Sequence, residues 1–174
     1  GYFCRLITPI MNVLVLGSGG REHALSHKIV QSTKCEKLFI APGNGGTAAL
    51  GENVLLDIEN ATEVAAFVKA QAIDIVVIGP EAPLVAGVHD GLKNFPELEN
   101  LVVVGPRQAA AELEGSKDFA KEFMMRNNIP TAAYQTFTKD TLVEGQTFLE
   151  ILEAPYVLKA DGLAAGKGVL IIED

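Results

Sequence analysis

Short apolar runs alternate with longer stretches of mixed polarity over the first two-thirds of the chain. Val13–Leu16, Leu38–Ala41, Ile73–Ile78 and Leu101–Val104 are rich in Val, Ile and Leu. Runs of this kind, without a polar alternation, suit parallel strands buried on both faces. Between them Glu22–Val30, Ala61–Gln71 and Leu84–Lys93 carry helical patterns. Asn60 is placed to cap the second helix, with Glu63 three residues on as in a capping box. Strand–helix alternation of this order predicts a doubly wound α/β domain with a mainly parallel sheet.

The pattern changes near Glu112. Gly115-Ser116 opens a helix with Phe119, Ala120, Phe123 and Met124 on one apolar face, and Ile129-Pro130 is read as its end. A strand at Tyr134–Phe137, a helix at Glu144–Ile151 and two strands, Tyr156–Lys159 and Val169–Ile172, follow. A second domain of α+β type is therefore expected over 112–174, incomplete at Asp174, after a first domain over 11–111. Residues 1–10 read as a leader ahead of Met11.

Composition narrows the function classes. The chain has 174 residues, 48% hydrophobic and 21% charged, a globular balance. Its net charge of −8 and the lack of a basic stripe argue against a nucleic-acid partner. Any phosphate must then be held by local geometry, not by the overall field. Cys4 and Cys35 form no CxxC spacing, which argues against a cysteine zinc site and fits a reducing compartment. No apolar run is long enough to span a bilayer, so a cytoplasmic location without membrane contact is expected.

Candidate chemistry gathers in glycine-rich turns. Gly17-Ser18-Gly19-Gly20-Arg21-Glu22 follows the first strand and opens the first helix, where bare amides form an anion site. A dinucleotide fingerprint needs a third glycine at position 22, which is Glu22 here. It also needs an acid after the second strand, where Phe39-Ile40-Ala41-Pro42 supplies none. The alternative to a phosphate cradle is a tight strand–helix turn with no ligand. Pro42–Thr47, which includes Gly43 and Asn44, and Gly79–Pro83 with Glu81 also follow strands. Ligands of open parallel sheets bind outside these carboxyl ends, so the three turns together favour a site.

Three further features lie in the second domain. Lys117 opposes the dipole in the first turn of its helix, and a nearby phosphate or solvent exposure would relieve the conflict. Lys159 ends an apolar strand and either snorkels to the surface or reaches a ligand. Asp161–Gly168 resembles a Walker A loop but is one residue short and lacks Ser or Thr after Lys167. What remains is a hairpin loop of bare amides and one cation, able to fold over phosphates. His23 and His27 have the spacing of a metal pair, yet no third ligand accompanies them.

Five stretches taken together resemble the phosphoribosylamine–glycine ligase family, also called glycinamide ribonucleotide synthetase: Val15–Leu25, Ala41–Asn44 with Gly46-Thr47, Gly79–Val85, Leu113–Lys117 and Leu158–Val169. The similarity runs from Met11 to the end. It implies a Rossmann-like domain followed by the start of an ATP-grasp domain. It also implies an ATP-dependent ligation of glycine to 5-phosphoribosylamine through glycyl phosphate. Carried over residue by residue, Gly17, Ser18, Gly19, Gly20, Arg21, Gly43, Asn44 and Thr47 would hold the phosphoribosyl group, and Glu81 the ribose or amine. Lys117, Lys159, Asp161, Gly162, Gly166, Lys167 and Gly168 would meet ATP. The ligands of Mg²⁺ (or Mn²⁺) fall outside this chain, which is expected to be a monomer and inactive alone. Family members continue well beyond Asp174. A stand-alone sugar-phosphate or nucleotide module is the runner-up; another ATP-grasp enzyme and an NAD oxidoreductase follow.

Overall fold

The computed structural model describes residues 10–164 and 166–173. The nine residues that open the expected leader, with Cys4 among them, lie outside the described residues, as do Ala165 and Asp174. The described residues form two compact units, divided between Ala111 and Glu112.

The first unit is built on five parallel strands: β1 (Met11–Gly17), β2 (Cys35–Pro42), β3 (Glu52–Asn53), β4 (Ile75–Ile78) and β5 (Val102–Val104). They lie in the order β3-β2-β1-β4-β5. The chain first builds outward on one side of β1 and then crosses to build β4 and β5 on the other. The switch point therefore lies between β1 and β4. The helices are α1 (Gly20–Ile29), α2 (Ala61–Ala70), α3 (Glu81–Val85) and α4 (Val88–Lys93).

Alternate residues of each strand face opposite sides. Leu14, Leu16, Phe39, Ala41, Val76 and Ile78 pack with Val64, Ala65 and Val68 of α2 and Val88 and Leu92 of α4. The Phe39 and Phe67 rings meet edge-on with centroids 5.3 Å apart. On the opposite face Val13, Val15, Leu38 and Ile40 pack with Ile29 of α1, Ile75 and Val77. Burial on both sides, complete along the middle of β1 and β2 and partial on one face of β4, is why these strands read as unbroken apolar runs.

The structure departs from the sequence pattern in several places, each with a physical cause. Leu101–Val104 is not buried on both faces: β5 is the edge strand, and Val102 and Val104 are 51% and 49% exposed. The helix expected over Leu84–Lys93 is broken into α3 and α4 at Gly87, whose φ of +82° is left-handed. Asn60 caps α2 as expected, its side chain accepting from the Thr62 and Glu63 amides. The Glu63 carboxylate instead accepts from Asp57 N at 2.9 Å, so the capping box is not closed.

The second unit contains α6 (Lys117–Arg126), α7 (Leu142–Glu150) and an antiparallel pair, β6 (Tyr156–Lys159) and β7 (Val169–Ile172). The preceding helix, α5 (Gln108–Gly115), runs across the division. The strand expected at Tyr134–Phe137 is irregular backbone. Its aromatic residues make side-chain contacts instead: Phe137 meets Phe148 at 5.7 Å, and Tyr134 lies under the Lys121 ammonium at 5.4 Å. Ile129-Pro130 is not what ends α6. A Schellman motif does so, with Asn128 left-handed, Ile129 N donating to Met124 O and Asn128 N to Met125 O. No described residue after Ala111 is fully buried, and Leu170 and Ile171 of β7 are 63% and 66% exposed. Among the described residues no helix is long and apolar enough to cross a membrane.

Candidate functional site

The turns after β1, β2 and β4 are stitched to one another at the carboxyl edge of the first unit's sheet. Gly43 N donates to Gly17 O at 3.2 Å, and Gly79 N donates to Leu16 O at 3.0 Å. The Arg21 guanidinium reaches across to Gly79 O at 2.5 Å. Asn44 Nδ2 donates to Ser18 O at 2.8 Å. Gly17, Ser18, Arg21, Gly43 and Asn44 thus share one edge, and Ser18, Gly19 and Gly20 stand exposed at the N-terminus of α1.

The second turn is held rigid by its own polar network. Asn44 Oδ1 accepts from the Gly46 and Thr47 amides, at 2.8 and 3.0 Å. The fully buried Thr47 hydroxyl accepts from Asn44 N and donates to Asn53 Oδ1, while Asn53 Nδ2 donates to Asn44 O. Asn53 had no signal in the sequence, because β3 is too short and polar to show a period. Glu81 sits half-buried in the first turn of α3, with no side-chain hydrogen-bond partner among the described residues.

Glu22 is the residue that the sequence pattern marked only as a missing glycine. It is 4% exposed, and its carboxylate turns back to accept from Gly19 N at 2.6 Å. Of the histidines, His23 lies beside Gly46, His27 meets Gln31, and His89 Nδ1 meets Gly105 O. No group of three or more His, Cys, Asp or Glu able to hold a metal ion occurs among the described residues. Burial pushes the Cys35 thiol up, the opposite of what an activated nucleophile needs.

In the second unit the loop after β6 folds back on α6. The Asp161 carboxylate accepts from the Lys117 amide at 2.6 Å, the Asp118 amide at 3.2 Å and the Ser116 hydroxyl. Ser116 itself caps the helix through Phe119 N. The conflict between Lys117 and the helix dipole is met by this carboxylate, and the Lys117 ammonium is tied to Gly162 O at 2.7 Å. Lys159 and Lys167 are exposed and line a shallow concavity with Leu158, Ala160, Gly168 and Leu170. Gly162 and Gly166 take left-handed φ values of +78° and +75°.

These contacts make Asp161 sensitive to acid. Partial desolvation raises its pKa, but the amides of Asp118, Lys117 and Gly162 and the Ser116 hydroxyl outweigh it, so the carboxyl stays below its usual range. A lowered folded pKa contributes stability above the unfolded value, and that contribution is lost as pH falls through the folded one. Hydrogen exchange at the Lys117 and Asp118 amides is therefore expected to show protection at neutral pH. Protection should persist through the ordinary carboxylate range, about pH 4, and disappear only as pH falls below it. Protection unchanged at acid pH would remove Asp161 from this role.

Residues 11–114 match the family model described as Phosphoribosylglycinamide synthetase, N domain. Residues 115–174 match Phosphoribosylglycinamide synthetase, ATP-grasp (A) domain. A relative from Mesorhizobium japonicum, called phosphoribosylamine–glycine ligase, is 53% identical over 161 residues, covering 92% of this chain and 36% of the relative. One of the same name from Vibrio parahaemolyticus is 50% identical over 92% of this chain and 37% of its own length. The crystal structure of a phosphoribosylamine–glycine ligase from Thermotoga maritima superposes with a TM-score of 0.67 at 35% identity, over 94% of this chain and 36% of that one. The biotin carboxylase domain of a Hydrogenobacter thermophilus 2-oxoglutarate carboxylase shares the fold alone, at TM-score 0.70 and 16% identity over 95% of this chain and 38% of that one. This chain thus spans little more than a third of the length of the relatives it matches.

Proposed function

The chain belongs to the phosphoribosylglycinamide synthetase family, and from that premise we propose that its first unit holds the phosphoribosyl end of the substrate of an ATP-dependent carbon–nitrogen ligase. The observation that carries this is the stitched edge: three glycine-containing turns at the carboxyl ends of β1, β2 and β4, joined by Arg21 and Asn44. A helix N-terminus at a switch point favours a phosphate. In this proposal Gly17, Ser18, Gly19, Gly20, Arg21, Gly43, Asn44 and Thr47 shape the sugar-phosphate cradle. The Glu81 carboxylate, which has no side-chain hydrogen-bond partner among the described residues, accepts from the ribose or the amine.

The whole protein, in the same proposal, joins glycine to 5-phosphoribosylamine. The glycine carboxylate takes the terminal phosphoryl group of ATP, and the amine then displaces phosphate to form the amide. Residues 11–111 are the substrate domain and 112–174 the opening of an ATP-grasp domain. Lys159 and Lys167, both exposed on one concavity with Gly168, fit a polyphosphate, with Gly166 shaping the loop between them, while the Gly162 amide is engaged by Asp161. Asp161 contributes by holding Lys117 and the start of α6. The described residues present no cluster of three or more His, Cys, Asp or Glu for Mg²⁺ or Mn²⁺. A cytoplasmic monomer acting on small molecules completes the proposal.

Calorimetric titration of the full chain with glycinamide ribonucleotide tests it, with NAD alongside. Saturable binding of the ribonucleotide and none of NAD is expected, together with no steady-state ligation when ATP and both substrates are supplied. NAD binding would replace the proposal with a dinucleotide site, and measurable turnover would show that this chain suffices for the reaction.

A further inference from the structure

Glu22 stands at the switch point of the sheet and touches both strands' turns there. Its carboxylate accepts from the Gly19 amide at 2.6 Å, and the side chain is 96% withdrawn from solvent, with 4% exposed. A Cβ built on Gly17 would come within 2.6 Å of Glu22 Cγ and 2.7 Å of Cδ. A Cβ on Gly79 would overlap the same carboxylate from the other side, 2.6 Å from Cδ. The side chain thus fills the gap between the turn after β1 and the turn after β4. Gly17 has a left-handed φ of +125° and needs glycine for its backbone in any case, whereas Gly79 has no such φ. At Gly79 the demand for glycine comes from Glu22.

Two further contacts give this gap a consequence. Arg21, the residue before Glu22, donates to Gly79 O, so the same two turns are also joined on the outer side. Gly19, whose amide Glu22 occupies, is the N-cap of α1, and Gly20 and Arg21 are its first residues. The orientation of the exposed amides therefore depends on how far apart Glu22 keeps the turns.

We propose that Glu22 is a positioning residue: buried between Gly17 and Gly79, it sets the spacing of the two turns and the orientation of the amides that open α1, without touching substrate itself. This rests on the reading of that edge as a sugar-phosphate site. It accounts for a carboxylate standing where a dinucleotide fold places glycine for close helix–strand packing.

The full chain and its Gly79→Ala, Glu22→Ala, Glu22→Gln and Glu22→Ala/Gly79→Ala variants decide it, with melting temperature and ribose 5-phosphate affinity as readouts. Gly79→Ala should lower the melting temperature by several degrees in the parent and hardly at all once Glu22 is Ala, since the clash is then gone. Glu22→Ala, measured where it is folded, should weaken ribose 5-phosphate about tenfold or more, the effect of one misplaced contact set. Glu22→Gln keeps the acceptor and the bulk, so its affinity should return to within about threefold of the parent. Additive melting shifts in the double variant overturn the proposal, as does a Gln variant as weak as Ala. If the parent chain itself binds no ribose 5-phosphate, the sugar-phosphate reading falls, and the melting cycle alone still judges whether Glu22 spaces the turns.

Discussion

Replacing Leu16 by Ala lowers the stability of the first unit by about 2–5 kcal/mol, the range for removing a large aliphatic side chain from a packed core. Leu16 has no exposed surface and sits on the central strand, in register with Ala41 of β2 and Ile78 of β4. The neighbours that would have to collapse into the gap belong to a sheet held by backbone bonds on both sides, so relaxation is small. A domain of this size is stable by only about 5–15 kcal/mol, so the loss is a large share of the total. Urea denaturation monitored by circular dichroism should show the midpoint falling with little change in slope. Val102→Ala on the half-exposed edge strand is the control, expected to stay within about 0.5–1 kcal/mol of the parent. Equal losses at the two positions would mean that the core is not where the burial places it.

The same contrast explains how much of the fold was legible. β1 and β2 could be read as unbroken apolar runs because both faces are buried there, and β4 because its second face, Ile75 and Val77, is half-buried and apolar too. β5 carries the same composition, but as an edge strand it has two of its three valines half-exposed, and no run of Val distinguishes those cases. β3 was invisible, since Glu52 and Asn53 join the sheet through backbone bonds that no side-chain period reports. Tyr134–Phe137 failed in the opposite direction: β-favouring residues are held by ring contacts, and propensity yields to tertiary context.

The candidate site was legible as turns but not as contacts. Glycines after strands mark where a backbone can approach a ligand, and these all fell at one sheet edge. What could not be read was which side chains hold the turns: Asn53 and Thr47 around Asn44, or Glu22 folded back on Gly19. Such bonds depend on which strands become neighbours, which is a property of topology and not of local sequence. Asp161 shows the same limit. Its place in a glycine-rich loop suggested phosphate chemistry, while the folded loop brings it onto the amides of a helix more than forty residues earlier.

Gly43→Ala should cost the first unit several kcal/mol and weaken ribonucleotide binding about a hundredfold or more. Two independent penalties act there. The backbone has φ of +70°, a left-handed conformation that costs a non-glycine residue about 1–2 kcal/mol. The added Cβ would also stand 2.5 Å from Asn53 Cγ and 2.8 Å from the Thr47 hydroxyl. Thr47 cannot give way cheaply, because it is fully buried and bonded back to Asn44, whereas the exposed Asn53 can move only by giving up its bonds to Thr47 and Asn44. Displacing Thr47 leaves its buried hydroxyl unpaired, at about 1–3 kcal/mol. Asn44 would in turn lose its hold on Ser18 O, so the turn after β1 shifts with it. A misplacement passed from one turn to the next should cut affinity for glycinamide ribonucleotide about a hundredfold or more. Calorimetry on the folded fraction separates the two effects. Gly45, whose added Cβ would meet nothing within 4 Å, provides the contrast: Gly45→Ala should bind as the parent does. Equal losses at positions 43 and 45 would show that the turn tolerates no side chain anywhere and that the Asn44 network is not what shapes it.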